Sequence, residues 1–325
     1  MRPKKDLLTK KRNRTKYSYT RAMARLYDHA YFGDSIVPIS NAQLSIASSA
    51  VLYGLSVYTV FQVSATSKGL AAFRLPEHYR RLQDSARIIG LDTFDRTWSY
   101  EKFCSAVREV VKANGPKEDV FVRATVHATE QIPGTRSRGL VTTFSMFLYE
   151  AKPIVPQDGM RLKTSVWRRV PDNAIPSRAK VNGAYVNSVL AKQDAIDSGF
   201  DDCILLDAQG HVCELSAANI FIVRDGELFT PSASNDILEG INRRTVLELA
   251  REMNLPVSER NIDLTELYIA DEVFVSGTSA FVSFVKEIDG RIVRGGALGS
   301  ITERLRTAHR RILRGDDHEA FLTYL

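Results

Sequence analysis

The sequence predicts a two-domain protein of the α+β / α/β class, and three observations predict it. With 325 residues, 44% of them hydrophobic, the chain exceeds one average core and has the apolar side chains to fill two. Segments with alternating apolar residues are interspersed with segments in which apolar residues recur at helical spacing. The run Lys152-Pro153-Ile154-Val155-Pro156-Gln157-Asp158-Gly159 then breaks both patterns with two prolines and a glycine. Residues 153–160 therefore read as a linker between a small N-terminal α/β domain, 18–152, and a larger C-terminal domain, 161–325.

The first 17 residues stand apart. They carry eight Lys or Arg (Arg2, Lys4, Lys5, Lys10, Lys11, Arg12, Arg14, Lys16) against Asp6, a local excess of seven positive charges. The net charge is +6, so the remainder nets one negative charge and is electrically ordinary. Residues 1–17 read as a solvated, disordered basic arm rather than a nucleic-acid surface, because no interleaved aromatics accompany the charge.

From about residue 30 to 63, Ser35-Ile36-Val37, Gln43-Leu44-Ser45-Ile46 and Ser56-Val57-Tyr58-Thr59-Val60-Phe61-Gln62-Val63 read as strands and connections. Leu75, Tyr79, Leu82, Ala86 and Ile89 then recur at helical spacing, with Pro76 in the first turn and Gly90 at the stop. A second helix at 100–113 aligns Phe103, Val107, Val110 and Val111. Strands at 120–128 and 140–149 flank a polar loop. Beyond the linker come a strand at 161–167, a helix at 183–198, and hairpins turning at Asp207-Ala208-Gln209-Gly210 and Arg224-Asp225-Gly226. A helix at 242–253 and a strand at 272–276 follow, and Ser300-Ile301-Thr302-Glu303 has the form of a capping box opening a basic last helix.

Several function classes are disfavoured. No apolar run is long enough to span a bilayer, and Met1-Arg2-Pro3-Lys4-Lys5 leads into no signal-like stretch, so a cytoplasmic protein without membrane contact is expected. Cys104, Cys203 and Cys213 are too few and too irregular for a disulfide framework, and the six histidines show no metal-ligand spacing. Buried free thiols and no metal are expected.

Three groups carry complementary chemistry. Lys180, in Ala179-Lys180-Val181-Asn182-Gly183-Ala184-Tyr185, offers a nucleophilic amine, and Glu214 follows a hairpin at Val212-Cys213. Gly240-Ile241-Asn242 precedes Val246, Leu249, Ala250 and Met253 at helical spacing, so a helix start with free N–H groups can hold an anion there. Asn242 can equally be an N-cap, Lys180 a surface lysine and Glu214 an exposed hairpin carboxylate. An amine for a carbonyl, a carboxylate for a pyridinium nitrogen and a helix start for a phosphate are together what pyridoxal 5′-phosphate requires.

The stretch from Trp167-Arg168-Arg169 to Thr278 resembles the class IV aminotransferases, most closely the branched-chain amino acid aminotransferases. It does so through the Lys180 segment, Val212-Cys213-Glu214, Asn219-Ile220-Phe221, Thr230-Pro231, Leu238…Gly240-Ile241…Arg243 and Ala270-Asp271-Glu272-Val273-Phe274…Gly277-Thr278. The resemblance implies fold type IV with barrel-like strands in the larger domain, pyridoxal 5′-phosphate as cofactor, a homodimer, and a role in amino-acid metabolism. By it, Lys180 binds the cofactor covalently and later moves the substrate α-proton, Glu214 pairs with the ring nitrogen, Tyr185 lies by the 3-hydroxyl, and Leu238 covers the ring face. Arg81, Ile241, Asn242 and Thr278 take the phosphate. Arg80 competes with Arg81, but the leucine that follows sets the register in favour of Arg81.

On the substrate side the resemblance implies Tyr53, Tyr58, Val60, Phe121, Arg123, Thr278 and Ser279, with Arg123 for a side-chain carboxylate and Thr278-Ser279 for the α-carboxylate. Here the chain departs from its relatives. Tyr58-Thr59-Val60-Phe61-Gln62 replaces the family's Phe-Glu-Gly-(Ile/Val)-(Arg/Lys), Phe121-Val122-Arg123 replaces Tyr-x-Arg, and the loop 131–139 lacks the usual small apolar run. The expected reaction is amino transfer from a branched-chain or other hydrophobic L-amino acid to a 2-oxo acid such as 2-oxoglutarate. Aminodeoxychorismate lyase and D-amino acid or (R)-amine transaminase are the alternatives on the same fold, and a non-catalytic binding protein is a remote one.

Overall fold

The computed structural model describes residues 24–325, so the basic arm expected at 1–17 lies outside the described residues. Its first part runs β1 (Leu26–Phe32), β2 (Ser35–Pro38), α1 (Ser49–Leu52), β3 (Ser56–Thr66), β4 (Gly69–Phe73), α2 (Leu75–Ile88), α3 (Asp92–Thr97), α4 (Tyr100–Asn114), β5 (Val120–Ala128) and β6 (Thr142–Glu150). The strands pair antiparallel throughout, β3 with β5 from Ser56 opposite His127 to Val63 opposite Val120. Side chains alternate across a strand, and the two faces of β3 are buried for different reasons. Val57, Phe61 and Val63 join Leu82 of α2 and Phe103 and Val107 of α4 in one core, while Tyr58 and Val60 face Phe121, Tyr149, Tyr185 and Phe281. The strand reads as a nearly continuous buried run because each face has its own cover.

The second part runs β7 (Met160–Arg168), α5 (Tyr185–Asp197), β8 (Asp202–Leu206), β9 (Val212–Leu215), β10 (Asn219–Arg224), β11 (Glu227–Thr230), α6 (Ile241–Glu252), β12 (Val257–Glu259), α7 (Leu264–Tyr268), β13 (Glu272–Gly277), β14 (Phe281–Ile288), β15 (Arg291–Ile292), α8 (Ser300–Arg314) and β16 (Leu322–Tyr324). Because β10 pairs with β9 as well as β13, the order β10-β13-β14-β7-β8-β9 closes on itself into a six-stranded barrel. Ile220, Ile222, Val273 and Val275 go to one core and Phe221, Val223 and Phe274 to another shared with α6 and α8, the alternation a barrel requires. β7 runs parallel to both β8 and β14. The last strand, β16, leaves this part and pairs with β4 of the first sheet, a return that a C-terminal domain of 161–325 does not anticipate.

Other local expectations shift. Residues 43–46 form no strand but lead into the one-turn helix α1. Gly299 precedes α8 without a side-chain cap of its own, so Ser300 is the first helical residue and makes no capping box. The Glu272 carboxylate accepts instead from the amides of Ile301 and Thr302 and from the Thr302 hydroxyl. Among the described residues, no helix is long and apolar enough to cross a membrane.

Candidate active site

Lys180 lies on the segment that leaves the barrel and lies against β3. Its amide donates to the Ser85 hydroxyl of α2 at 3.0 Å, and its carbonyl accepts from the Tyr58 amide at 3.0 Å. Val181 bridges Val57, and the Asn182 amide donates to the Ser56 carbonyl at 2.9 Å. Gly54 and Gly183 make this approach possible. Gly54 has φ +66°, and a Cβ built on it would lie 2.8 Å from the Gly183 Cα. The lysine is thus clamped by the first sheet while its side chain points into a cleft between sheet and barrel.

The Lys180 amine donates to the Tyr185 hydroxyl at 2.7 Å. Burial pushes its pKa below the usual lysine value, although Tyr185 and Glu214 oppose the shift, while Arg81 adds to it. For the Tyr185 phenol, burial acts upward, but the neighbouring Lys180 charge and hydrogen bond outweigh it, so the pKa is lowered. Tyr58 hydrogen-bonds Tyr185 in turn, and its ring, 5.4 Å from that of Tyr185, lies under the Arg123 guanidinium at 3.7 Å. These groups form one connected chain from amine to guanidinium.

Glu214, at the end of β9, is 6% exposed rather than a surface carboxylate. Burial raises its pKa, and three donors moderate the cost: Arg169 at 2.9 Å, the Leu238 amide at 3.2 Å and the Asn219 side chain at 3.0 Å. Arg169 lines the cleft and was not foreseen as a site residue. Its partner lies far along the chain, so no local pattern marks it.

Beyond Leu238, which donates to this carboxylate, α6 presents its N-terminus to the cleft, with Gly240, Ile241 and Asn242 lining it. Gly240 is required there because a Cβ would overlap the Asn219 amide oxygen. Asn242 is not the N-cap, which is Gly240; its side chain donates to Thr278 Oγ1 at 3.4 Å. Arg81 enters from α2, donating to Thr59 Oγ1 at 3.0 Å, while its buried Nε has no partner among the described residues. Arg80 is exposed. A cation with an unsatisfied donor beside free helix amides is an anion site in charge and in geometry.

Tyr58, Val60, Arg123, Thr278 and Ser279 line the same cleft, as do Tyr149 and Ile154, and Arg123 donates to Asn182 Oδ1 at 2.5 Å. Two expected residues do not. Phe121 shares the β5 face of the cleft-lining Arg123 but is 1% exposed, its ring covered by Tyr149 and Phe281. Tyr53 is half exposed at the end of α1 and does not line this chain's own cleft. The loop 131–139 is also absent from the lining; it contacts the chain before α1 through Ile132 and the end of α2 through Ser137.

Residues 56–288, well over half of the chain, match the family described as amino-transferase class IV. A branched-chain-amino-acid aminotransferase of Pseudomonas aeruginosa is 35% identical over 284 residues, covering 86% of this chain and 91% of that protein. The crystal structure of a branched-chain aminotransferase from Thermoproteus uzoniensis with norvaline superimposes with a TM-score of 0.86 at 34% identity, covering 91% and 99% of the two chains. That of a branched-chain amino acid aminotransferase from Thermobaculum terrenum in its PLP-form gives 0.83 at 29% identity, with 92% and 98% covered.

Proposed function

The chain belongs to the class IV aminotransferases of fold type IV, and from that membership we propose that it uses pyridoxal 5′-phosphate to move the amino group of a branched-chain or other hydrophobic L-amino acid onto a 2-oxo acid such as 2-oxoglutarate. The observation that carries the reading is that one cleft brings together a buried lysine amine, a buried carboxylate and an anion site. These residues fit the cofactor: the unsatisfied Arg81 Nε and the α6 amides suit its phosphate, and Glu214 suits its ring nitrogen. Bound there, the cofactor supplies a carbonyl for amine exchange and a ring that accepts the electrons left by the α-proton.

Lys180 holds the cofactor through Nζ and, once released by the substrate amine, carries the proton away from the α-carbon on that same atom. Its lowered pKa favours the neutral amine that such a base needs. Glu214 keeps a proton on the ring nitrogen, and Tyr185 orients Nζ by the hydrogen bond between them. Arg81, Ile241, Asn242 and Thr278 hold the phosphate, Leu238 covers the ring, and Arg123 with Thr278-Ser279 accepts substrate carboxylates. Val60 and Tyr58 narrow the space left for the side chain. Exposed apolar side chains on α1 and α5 supply the surface of a homodimer.

A panel of L- and D-amino acids and (R)- and (S)-amines, each with 2-oxoglutarate or pyruvate, tests the substrate. Leucine, isoleucine and valine should be donors, and inertness of all three would overturn that choice. Borohydride reduction should fix a phosphopyridoxyl group on Lys180 and none on Lys180→Ala; absence of the adduct in the unaltered protein would overturn the cofactor assignment.

A further inference from the structure

We propose that His309, on the last helix and outside the cleft, is a positioning residue that fixes the Asn242 amide so that its nitrogen, not its oxygen, faces the anion site at the start of α6. The inference rests on the cofactor reading above and adds a residue to it. His309 is 2% exposed, and its Nε2 lies 2.8 Å from Asn242 Oδ1. An amide oxygen can only accept, so the ring must be the Nε2–H tautomer. The other nitrogen, Nδ1, is buried without a partner among the described residues, which suits a neutral imidazole whose lone pair is left over. Burial, with Arg74 and Arg310 nearby, lowers its pKa to about 4, so the ring stays neutral, and a proton on Nδ1 would be a buried donor with no acceptor, which keeps it on Nε2.

In the structure that donor goes to Asn242. His309, Asn242 and Thr278 meet Gln62, His78 and Phe281 around a small void with no room for a water molecule. The Phe73 ring meets the imidazole edge-on at 5.7 Å and offers it no acceptor. With Oδ1 held by His309, Asn242 Nδ2 directs one N–H to Thr278 Oγ1 at 3.4 Å and has a second for the cleft that the residue lines. Turned over, the amide would set Oδ1 against a phosphate, and at His309 it would meet N–H with N–H or force the ring proton onto the unpartnered Nδ1. Two unfavourable contacts would replace two favourable ones. Asn242 thus becomes a dedicated anion donor because a neutral histidine stands behind it, although 67 residues separate the two.

The test is binding of pyridoxal 5′-phosphate, pyridoxal and inorganic phosphate to the apoprotein, in the unaltered chain and in H309F, N242A, N242D and N242A/H309F. A hydrogen bond to a charged group corresponds to about 10- to 100-fold in affinity, so H309F should bind pyridoxal 5′-phosphate weaker by about that factor. Phosphate should compete less well with it, while pyridoxal affinity should hold. H309F should cost nothing further once Asn242 is gone. N242D, which keeps the shape but presents only oxygen, should bind more weakly than N242A; this comparison stands even where H309F does not fold. An unchanged affinity in H309F, an equal loss for pyridoxal, a loss that persists in the N242A background, or N242D binding as well as N242A would overturn the assignment. Failure of the unaltered chain to bind pyridoxal 5′-phosphate would instead overturn the cofactor reading itself.

Discussion

A buried carboxylate lining the cleft serves the ring nitrogen only while it is ionised, and the Arg169 charge is the foremost influence favouring that form of Glu214. Burial alone raises the Glu214 pKa, and the Arg169 charge at 2.9 Å acts in the opposite direction. Removing that charge in Arg169→Gln should raise the pKa further, so that at neutral pH a larger fraction is protonated and unable to hold a second proton on the ring nitrogen. The acid limb of the kcat profile should therefore move to higher pH. Below the new limb, activity should fall by about tenfold for every pH unit the limb has moved, and it should recover as pH rises. An acid limb that stays in place would show that Arg169 does not act through Glu214. Lys180 and Glu214 were legible in the sequence because a lysine or glutamate inside a long ordered set of motifs is no longer one of many. Arg169 and His309 were not, since each matters through a partner distant in sequence, and no local spacing encodes that. Phe121 is kept from the cleft surface for a related reason. Its strand face was right, but the rings of Tyr149 and Phe281 cover it, and no spacing along β5 encodes that cover.

Elements were easiest to read where one periodicity held long enough to accumulate. β5 was expected at 120–128 and is found there, and α2 and α4 each show a buried stripe of the expected residues. The one- and two-turn helices α1 and α3 are too short to display a period, and residues 43–46 alternate without a neighbouring strand to pair with. At α8 the local capping signal was present but unused, because a stronger acceptor arrives from β13. Glu272 spans the Ile301 and Thr302 amides and the Thr302 hydroxyl, and Gly299 leaves it the space, since a Cβ there would overlap the carboxylate. This remote cap ties the helix that bears His309 to the barrel. Glu272→Ala should destabilise the protein by about 1–2 kcal/mol, the usual cost of losing an N-cap, measured as a drop in the denaturation midpoint at unchanged m-value. Ser300→Ala should have little effect. The reverse order of the two variants would restore the local capping box.

For the whole molecule, the arrangement of exposed apolar side chains argues that one chain is half of the working unit. Val51, Leu52 and Tyr53 on and after α1, Val186, Val189 and Leu190 on α5, and Val166 and Trp167 at the end of β7 are all at least 41% exposed. They belong together, because the Gly54–Gly183 contact joins the end of α1 to the start of α5, and the Asn187 side chain donates to the Arg168 carbonyl at 2.9 Å. Large apolar surface of this kind marks an interface, and a two-fold pairing would cover the same patch on both copies. Such pairing also gives Tyr53 a place. It does not line its own cleft, so a substrate role for it requires the cleft of a second copy. Sedimentation should show a dimer at micromolar concentration, and Val186→Lys with Val189→Lys should yield monomers, because charges on exposed helix positions disturb the interface rather than the fold. If the unaltered chain sediments as a monomer with full activity, or if the lysine variant remains a dimer, this face is not the interface and the Tyr53 assignment falls with it.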